Sequence, residues 1–144
     1  MAIESDYGYF PYEQIVEWLQ KISLHSQWLE AGRMLLTLRR RFAFRKGKLE
    51  EIIDQLNWKG RTARYLMEIA ERLDREEREP PAGISYRKLG EIINLNLPLS
   101  EIFSHAQRMS LDDLKEMRKE HEFAKRLKKE WEPPWEFQPT AQDD

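Results

Sequence analysis

Four side chains that could bind a nucleic-acid backbone and read its bases follow one sharp turn in the sequence. Asparagine tolerates a left-handed backbone better than most residues, so Asn57 in the stretch LNWKGRTARYLMEIA predicts a turn that leads directly into a helix. Arginine binds guanine through two hydrogen bonds, lysine suits phosphate, and tyrosine bonds phosphate or packs on sugar. We therefore predict an exposed helix face that reads bases through Arg61, Arg64 and Tyr65, with Lys59 on a phosphate.

A second group of cations precedes this turn. The stretch from Arg33 to Lys48 contains seven basic residues and no acidic one, although the whole chain has a formal net charge of −2. A local basic region sets the nearby field whatever the total charge, and neutralisation of phosphates supplies most non-specific affinity for DNA. The predicted phosphate contacts besides Lys59 are Arg39, Arg40, Arg41, Arg45, Lys46 and Lys48.

Residues on both sides of Asn57 have the spacing of a helix-turn-helix. The first helix needs apolar groups one and five residues before the turn, and Leu56 and Ile52 supply them. Ala63 and Leu66 fall on the inner face of the second helix, where Ala63 is small enough for a close approach. An ordinary amphipathic helix would also show charged residues outward, so the spacing by itself leaves that simpler interpretation open.

The stretch AGRMLLTLRRRF…GKLEEIIDQLNWKGRTARYLMEIAERL, about residues 31–73, resembles an uncharacterised domain family of bacteria, phages and mobile elements. In that family a helix precedes a glycine-anchored loop, a "WL"-type helix and the pattern "RTA…YM.IA". The matching residues are Arg61-Thr62-Ala63, Tyr65, Met67 and Ile69-Ala70, whereas Leu49-Glu50-Glu51-Ile52 departs from the family by lacking its aromatic pair. The resemblance covers about one third of the chain. It implies a helix-turn-helix and DNA binding without naming a target.

Hydrophobic periodicity predicts an all-α, compact multi-helix bundle, and no convincing strand occurs. A long helix is predicted over about residues 26–44, ended by Gly47 in a left-handed conformation, and a helix from about Lys59 runs until Pro80. The predicted organisation is an N-terminal arm (1–10), a helical region containing the turn near 57 (11–79), a linker (80–84), C-terminal helices (85–131) and a Pro- and Trp-rich acidic tail with an extended backbone (132–144).

The C-terminal helices and the tail have two interpretations each. The helix from Leu111 could form the seam of a homodimer, or its charges could form ordinary pairs within the helix. Trp131, Trp135 and Phe137 could bind a groove on a protein partner, or fold back over the protein's own core. A second turn at Asn94 is predicted to serve packing or a protein contact, because its exposed positions are apolar or acidic.

Several classes of site are not supported by the sequence. The chain contains no cysteine, its three histidines are scattered without metal-ligand spacing, and no catalytic or nucleotide-binding motif occurs. We therefore predict no enzyme activity, no metal and no cofactor. No apolar run is long enough for a bilayer and MAIESDYGYF lacks the parts of a secretory signal, so we expect no membrane association and a cytoplasmic location.

The sequence thus predicts a small cytoplasmic DNA-binding protein, either a transcriptional regulator or an accessory factor. The alternative is a helical protein-interaction adaptor, or a structural component of a larger assembly, that binds an acidic partner through the same basic region. DNA binding should weaken steeply as salt rises, whereas a hydrophobic adaptor should not bind DNA at all.

Overall fold

The computed structural model describes residues 7–130, and within them the chain forms seven α-helices and no β-strand. The helices are α1 (Tyr12–Lys21), α2 (Leu24–Arg41), α3 (Lys48–Gln55), α4 (Gly60–Arg75), α5 (Tyr86–Ile92), α6 (Leu99–Arg108) and α7 (Leu111–Glu130). The predicted all-α bundle is confirmed. Residues 1–6 of the predicted arm lie outside the described residues, as do the predicted tail (132–144) and its partner-binding residues Trp131, Trp135 and Phe137.

Helix α4 is the central element, because α2 packs along it on one side and α5 on another. Its apolar residues Leu66, Ile69 and Leu73 recur in steps of three and four, and all three are fully buried. The cations Lys59, Arg61 and Arg64 precede or begin this helix and are exposed. The helix that carries the predicted base-reading residues is therefore also the helix around which the core is built.

Two glycines allow α2 and α5 to approach α4 closely. A Cβ added at Gly32 of α2 would lie 2.4 Å from the backbone oxygen of Leu66, and one added at Gly90 of α5 would lie 2.3 Å from the ring of Tyr65. Both distances are far below van der Waals contact. Glycine at these two positions is thus required by the spacing of the three helices.

The turn between α3 and α4 has the predicted conformation. Asn57 has a φ of 59°, which is the left-handed region, and α4 begins three residues later. The four positions predicted to face inward, Ile52, Leu56, Ala63 and Leu66, are all buried. The turn and its inward-facing residues are confirmed, while the assignment of α3 and α4 as a helix-turn-helix stays a prediction.

The predicted end of the long helix is wrong by three residues. α2 ends at Arg41, and Phe42 leaves the helical conformation with a φ of −105° and a ψ of 24°. Its buried ring packs edge-on against Tyr12, with the ring centroids 5.1 Å apart. Gly47 does adopt a left-handed backbone (φ 85°), but it precedes α3 instead of ending α2. Residues 42–47 therefore form a loop, although the sequence predicted helix as far as about residue 44.

The segment between α5 and α6 is attached to α4 by a single arginine. Nη1 of Arg72 donates to the backbone oxygen of Ile93 at 2.6 Å and to that of Leu95 at 3.2 Å, and Nη2 donates to the oxygen of Leu97. These three carbonyls follow a helix end, where backbone acceptors lack partners within the helix. Arg72 thereby fixes the position of α5 relative to α4, which supports the predicted packing role of the turn near Asn94.

Candidate nucleic-acid interface

We call residues 39–46, at the end of α2 and in the loop after it, the basic loop. Five of its eight side chains are basic and exposed: Arg39, Arg40, Arg41, Arg45 and Lys46. Phe44, in the middle of the loop, is 100% exposed, whereas the ring of Phe42 two residues earlier is buried. The basic loop therefore presents a fully accessible aromatic ring among cations.

Several basic-loop cations have contacts that fix where they lie. Nη2 of Arg39 lies 3.0 Å from Oε2 of Glu71, and Nη1 of Arg41 donates to the backbone oxygen of Phe10 at 2.6 Å. The guanidinium of Arg45 lies 5.5 Å from the ring centroid of Phe42. These contacts leave the three side chains exposed. Surface pairs of this kind are weak enough for a phosphate to replace the carboxylate or carbonyl.

Lys48 differs from the other predicted phosphate contacts because it is only partly exposed. Its amino group lies 5.2 Å from the ring centroid of Tyr12 and 5.9 Å from that of Phe42. It also lies 3.7 Å from Oε1 of Glu51. In this position the Lys48 side chain fills the junction between α1, the basic loop and α3.

The prediction that Tyr65 lies on the exposed face of α4 is wrong. Its side chain is 6% exposed, and its hydroxyl donates a hydrogen bond of 2.7 Å to Oε2 of Glu91 in α5. The physical reason is that α5 and α7 cover this side of α4, since Gly90 lets the α5 backbone contact the Tyr65 ring. Tyr65 cannot contact a base from this position.

Tyr65 belongs to a buried polar cluster that joins three helices. Nη1 of Arg118, in α7, lies 2.7 Å from Oε1 of Glu91 and 3.3 Å from the Tyr65 hydroxyl. Glu91 is buried, so its charge needs this arginine and the hydroxyl nearby. The cluster therefore attaches α4 to α5 and α7 by polar contacts beneath the surface.

The two arginines predicted to read bases lie over this cluster and remain exposed. The guanidinium carbon of Arg61 is 5.8 Å, and that of Arg64 5.6 Å, from the ring centroid of Tyr65. Nη2 of Arg61 also lies 3.9 Å from Oε2 of Glu91. The Tyr65 side chain, with a further contribution from the charge of Glu91, raises the pKa of Arg61 above its usual value. Cation–π contact thus restricts where both guanidinium groups lie.

Two open grooves lie beside the cluster, and Tyr65 and Glu91 contribute to the lining of both. The smaller, of about 410 Å³, includes the cations Lys59, Arg61, Arg87 and Lys115. The larger, of about 880 Å³, includes Arg64, Arg118, His121, Lys125 and Lys128, together with the acidic Glu68 and Glu122. The start of α4 therefore adjoins cations from α5 and α7 that are distant from it in sequence.

Arg33, which begins the basic stretch in the sequence, does not belong to the interface. It is 5% exposed, and both Nε and Nη2 donate to Oδ1 of Asp74, at 3.1 Å and 2.9 Å. Nη1 lies 3.2 Å from Oε1 of Glu30. Burial acts to lower the pKa of Arg33, but the hydrogen bond and charge of Asp74 outweigh it and raise the pKa overall. Its positive charge is neutralised inside the bundle.

Sequence reasoning missed Phe44 and the pair of Glu91 and Arg118. The first had a usable signal, because two aromatic residues, Phe42 and Phe44, interrupt the cations in the run RRRFAFRKGK, and a helix broken near Gly47 exposes at least one of them. The pair had none, since neither an acid in the short helix α5 nor an arginine in the highly charged helix α7 stands out from its neighbours.

Residues 7–130 contain no group of three or more His, Asp or Glu side chains placed to hold a metal ion. Among the helices in that range, none has the length and apolar character needed to cross a bilayer.

The chain matches no protein-family model, no curated protein and no solved structure. The resemblance of residues 31–73 to a helix-turn-helix family therefore stays a prediction.

Proposed function

We propose that this is a nucleic-acid-binding protein of the cytoplasm that binds DNA through the basic loop and the exposed cations at the start of α4. One observation carries the proposal: Phe44 is fully exposed between cations that are themselves exposed. Burying an aromatic ring is favourable, so leaving the Phe44 ring fully exposed gives up free energy that burial would have supplied. A base or sugar offers this ring a stacking surface, while the adjacent cations bind phosphates.

Charge supports the same proposal. Residues 39–64 contain nine Lys or Arg and three Asp or Glu, which gives a net charge of +6 in a chain whose total is −2. Eight of the nine cations are exposed. Counter-ions released from DNA by such a surface provide affinity for any sequence.

Arg61 and Arg64 are the proposed source of base selectivity. Their guanidinium groups are exposed, and the buried ring of Tyr65 restricts their orientation from below. An arginine held in place loses less conformational entropy when it binds a guanine edge. Tyr65 is thus a positioning residue in this proposal. A regulator or an accessory factor of DNA transactions would use such a surface.

The experiment that tests the proposal is a titration of labelled random duplex DNA with the full chain at two salt concentrations. Arg45→Ala/Lys46→Ala should weaken binding and reduce the slope of log K against log salt by roughly two. Lys21→Ala/Arg108→Ala is the matched control, because it removes two exposed cations outside the interface. The control should bind like the original chain. Absence of binding at low salt, or equal losses in both variants, would overturn the proposal.

A further inference from the structure

The smaller of the two grooves beside Tyr65 carries more uncompensated positive charge than the larger one. We call it the basic groove: it has a volume of about 410 Å³, and its charged lining residues are four cations and one acid, namely Lys59, Arg61, Arg87, Lys115 and Glu91. The larger groove has four cations and three acids in its lining. With His121 counted as neutral, the lining charge is therefore +3 in the basic groove and +1 in the larger.

Most of the cations of the basic groove have no acidic partner. Among residues 7–130, no carboxylate oxygen lies within 4.0 Å of the charged nitrogens of three of them: Lys59, Arg87 and Lys115. Arg61 lies 3.9 Å from Glu91, but Arg118 already neutralises this carboxylate at 2.7 Å. The fold thus brings cations from α4, α5 and α7 together in a chain that has more acids than bases. A concave surface lined by one sign of charge concentrates ligands of the opposite sign.

The walls of the basic groove also provide faces for a planar ring. Trp58 and Tyr86 line it, and both side chains are partly exposed. The Tyr86 ring packs against Trp28, with the ring centroids 6.5 Å apart. Small-molecule sites usually have volumes of about 300–1,000 Å³, so the groove has room for more than a phosphate ion. Nucleobases stack on aromatic side chains of this kind.

We propose that the basic groove binds a nucleotide through a phosphate monoester. A monoester carries a charge of about −1.5 to −2 at pH 7, whereas each phosphate inside a nucleic-acid strand is a diester with about one charge. The monoester therefore matches the +3 lining better than an internal phosphate does. The four cations bind the phosphate, and the base lies against Trp58 or Tyr86.

A nucleotide of this kind has two sources. It is either a free nucleoside monophosphate or the phosphorylated end of a DNA strand, and only the second source rests on the proposed function. The groove shares Lys59 and Arg61 with the proposed DNA interface, but Arg87 and Lys115 belong to the groove alone. Substitution of Arg87 and Lys115 therefore tests the groove separately from the interface.

Isothermal titration calorimetry with the full chain tests the free nucleotides. Each of the four nucleoside 5′-monophosphates is titrated, with the corresponding nucleoside as its reference. A monophosphate should bind more than about tenfold more tightly than its nucleoside, because only the monophosphate forms charge-assisted hydrogen bonds with the cations. Arg87→Ala/Lys115→Ala should remove most of this difference, and Arg87→Ala alone, at a more exposed position, should remove part of it.

Two control variants show whether the loss is specific to the groove. Lys21→Ala/Arg108→Ala also removes one lysine and one arginine, but neither lines the basic groove. Arg45→Ala/Lys46→Ala changes the basic loop, which the proposed function uses for duplex DNA. Both should bind the monophosphates like the original chain. Thermal unfolding should be similar in all these variants, since none of the substituted side chains is buried.

A second arm compares one oligonucleotide with a 5′-phosphate, a 3′-phosphate or only hydroxyl ends. Tighter binding of a phosphorylated end that is lost in Arg87→Ala/Lys115→Ala would assign the groove to strand ends. Monophosphate binding without an effect of the end phosphate would assign it to free nucleotides. Binding that ignores the monoester in both arms, or equal losses in Arg87→Ala/Lys115→Ala and Lys21→Ala/Arg108→Ala, would overturn the proposal. Monophosphate binding by a chain that does not bind duplex DNA would overturn the proposed function alone.

Discussion

The hydroxyl of Tyr65 in α4 donates a hydrogen bond to Oε2 of Glu91 in α5 at 2.7 Å, and both side chains are buried. This relationship places Tyr65 in the interior, although the sequence pattern favoured the surface. It also means that α4 cannot present the whole face from Arg61 to Tyr65 to a ligand. Only Arg61 and Arg64 remain accessible. Their guanidinium groups lie over the ring of Tyr65, which the sequence predicted to read bases beside them.

Replacing Tyr65 by Phe should lower the free energy of unfolding by about 1–3 kcal/mol, because Glu91 then loses a buried hydrogen-bond donor. DNA affinity at temperatures where the variant is folded should change little, since the hydroxyl does not face solvent. Urea unfolding and a DNA titration measure the two quantities. A normal stability with a large loss of affinity would instead show that the hydroxyl contacts DNA.

Arg64→Ala should reduce affinity for a preferred sequence by about 1–3 kcal/mol and relax the choice of base at one position, if Arg64 contacts a guanine edge. Lys59→Ala should weaken binding to all sequences about equally, since a phosphate contact carries no sequence information. Selection from a random oligonucleotide pool followed by titration distinguishes the two patterns. An equal effect of Arg64→Ala on every sequence would assign this arginine to the backbone.

Phe44→Leu should weaken binding to single-stranded oligonucleotides by about 1–3 kcal/mol, the usual contribution of stacking one base on an aromatic ring. Phe44→Trp should retain the affinity, because it keeps an aromatic surface at the same position. Neither substitution should change stability by more than about 0.5 kcal/mol, since the side chain makes no buried contact. Fluorescence anisotropy gives the affinities. Equal binding by all three chains would remove Phe44 from the interface.

The sequence predicted those features of the fold that depend on residues near one another in the chain. The turn at Asn57 and the buried Ile52, Leu56, Ala63 and Leu66 follow from local spacing and backbone preference, and all are observed. The burial of Tyr65 depends instead on α5 and α7, which come more than 20 residues later. Helical periodicity places a residue on a face of its own helix, but it cannot show which distant helix covers that face.

The same limit explains why Arg33 was counted as part of the basic surface. Its charge is neutralised by Asp74, which lies 41 residues further along the chain. The early end of α2 at Arg41 was missed for a different reason, because LRRRFAFRKG has no residue that breaks a helix before Gly47. There the packing of Phe42 against Tyr12 overrides the local preference.

Gly32→Ala should destabilise the protein by several kcal/mol, because its Cβ would lie 2.4 Å from the backbone oxygen of Leu66 and the two helices would have to separate. Gly60→Ala is the matched control: it adds the same methyl group at the first residue of α4, where the new Cβ would meet no other part of the protein within 4 Å beyond its chain neighbours and its own helix backbone. Alanine there should be neutral or slightly stabilising, since it restricts the unfolded chain. Thermal unfolding compares them. A loss as large for Gly60 as for Gly32 would contradict the close contact of α2 with α4.

The buried pair of Arg33 and Asp74 gives a prediction about stability that is separate from any function. Arg33→Ala should cost about 3–5 kcal/mol, because it leaves the carboxylate of Asp74 largely buried without its cation. Oδ2 of Asp74 already lacks a hydrogen-bond partner, so the carboxylate depends on the arginine at Oδ1. The matched control is Arg39→Ala, which removes an arginine whose ion pair with Glu71 is exposed.

An exposed pair of that kind contributes less than about 1 kcal/mol, so urea unfolding should separate the two variants clearly. Asp74→Asn combined with Arg33→Met should recover part of the loss, because no uncompensated charge then stays in the interior. Equal losses for Arg33→Ala and Arg39→Ala would show that burial does not strengthen the dependence of Asp74 on its partner.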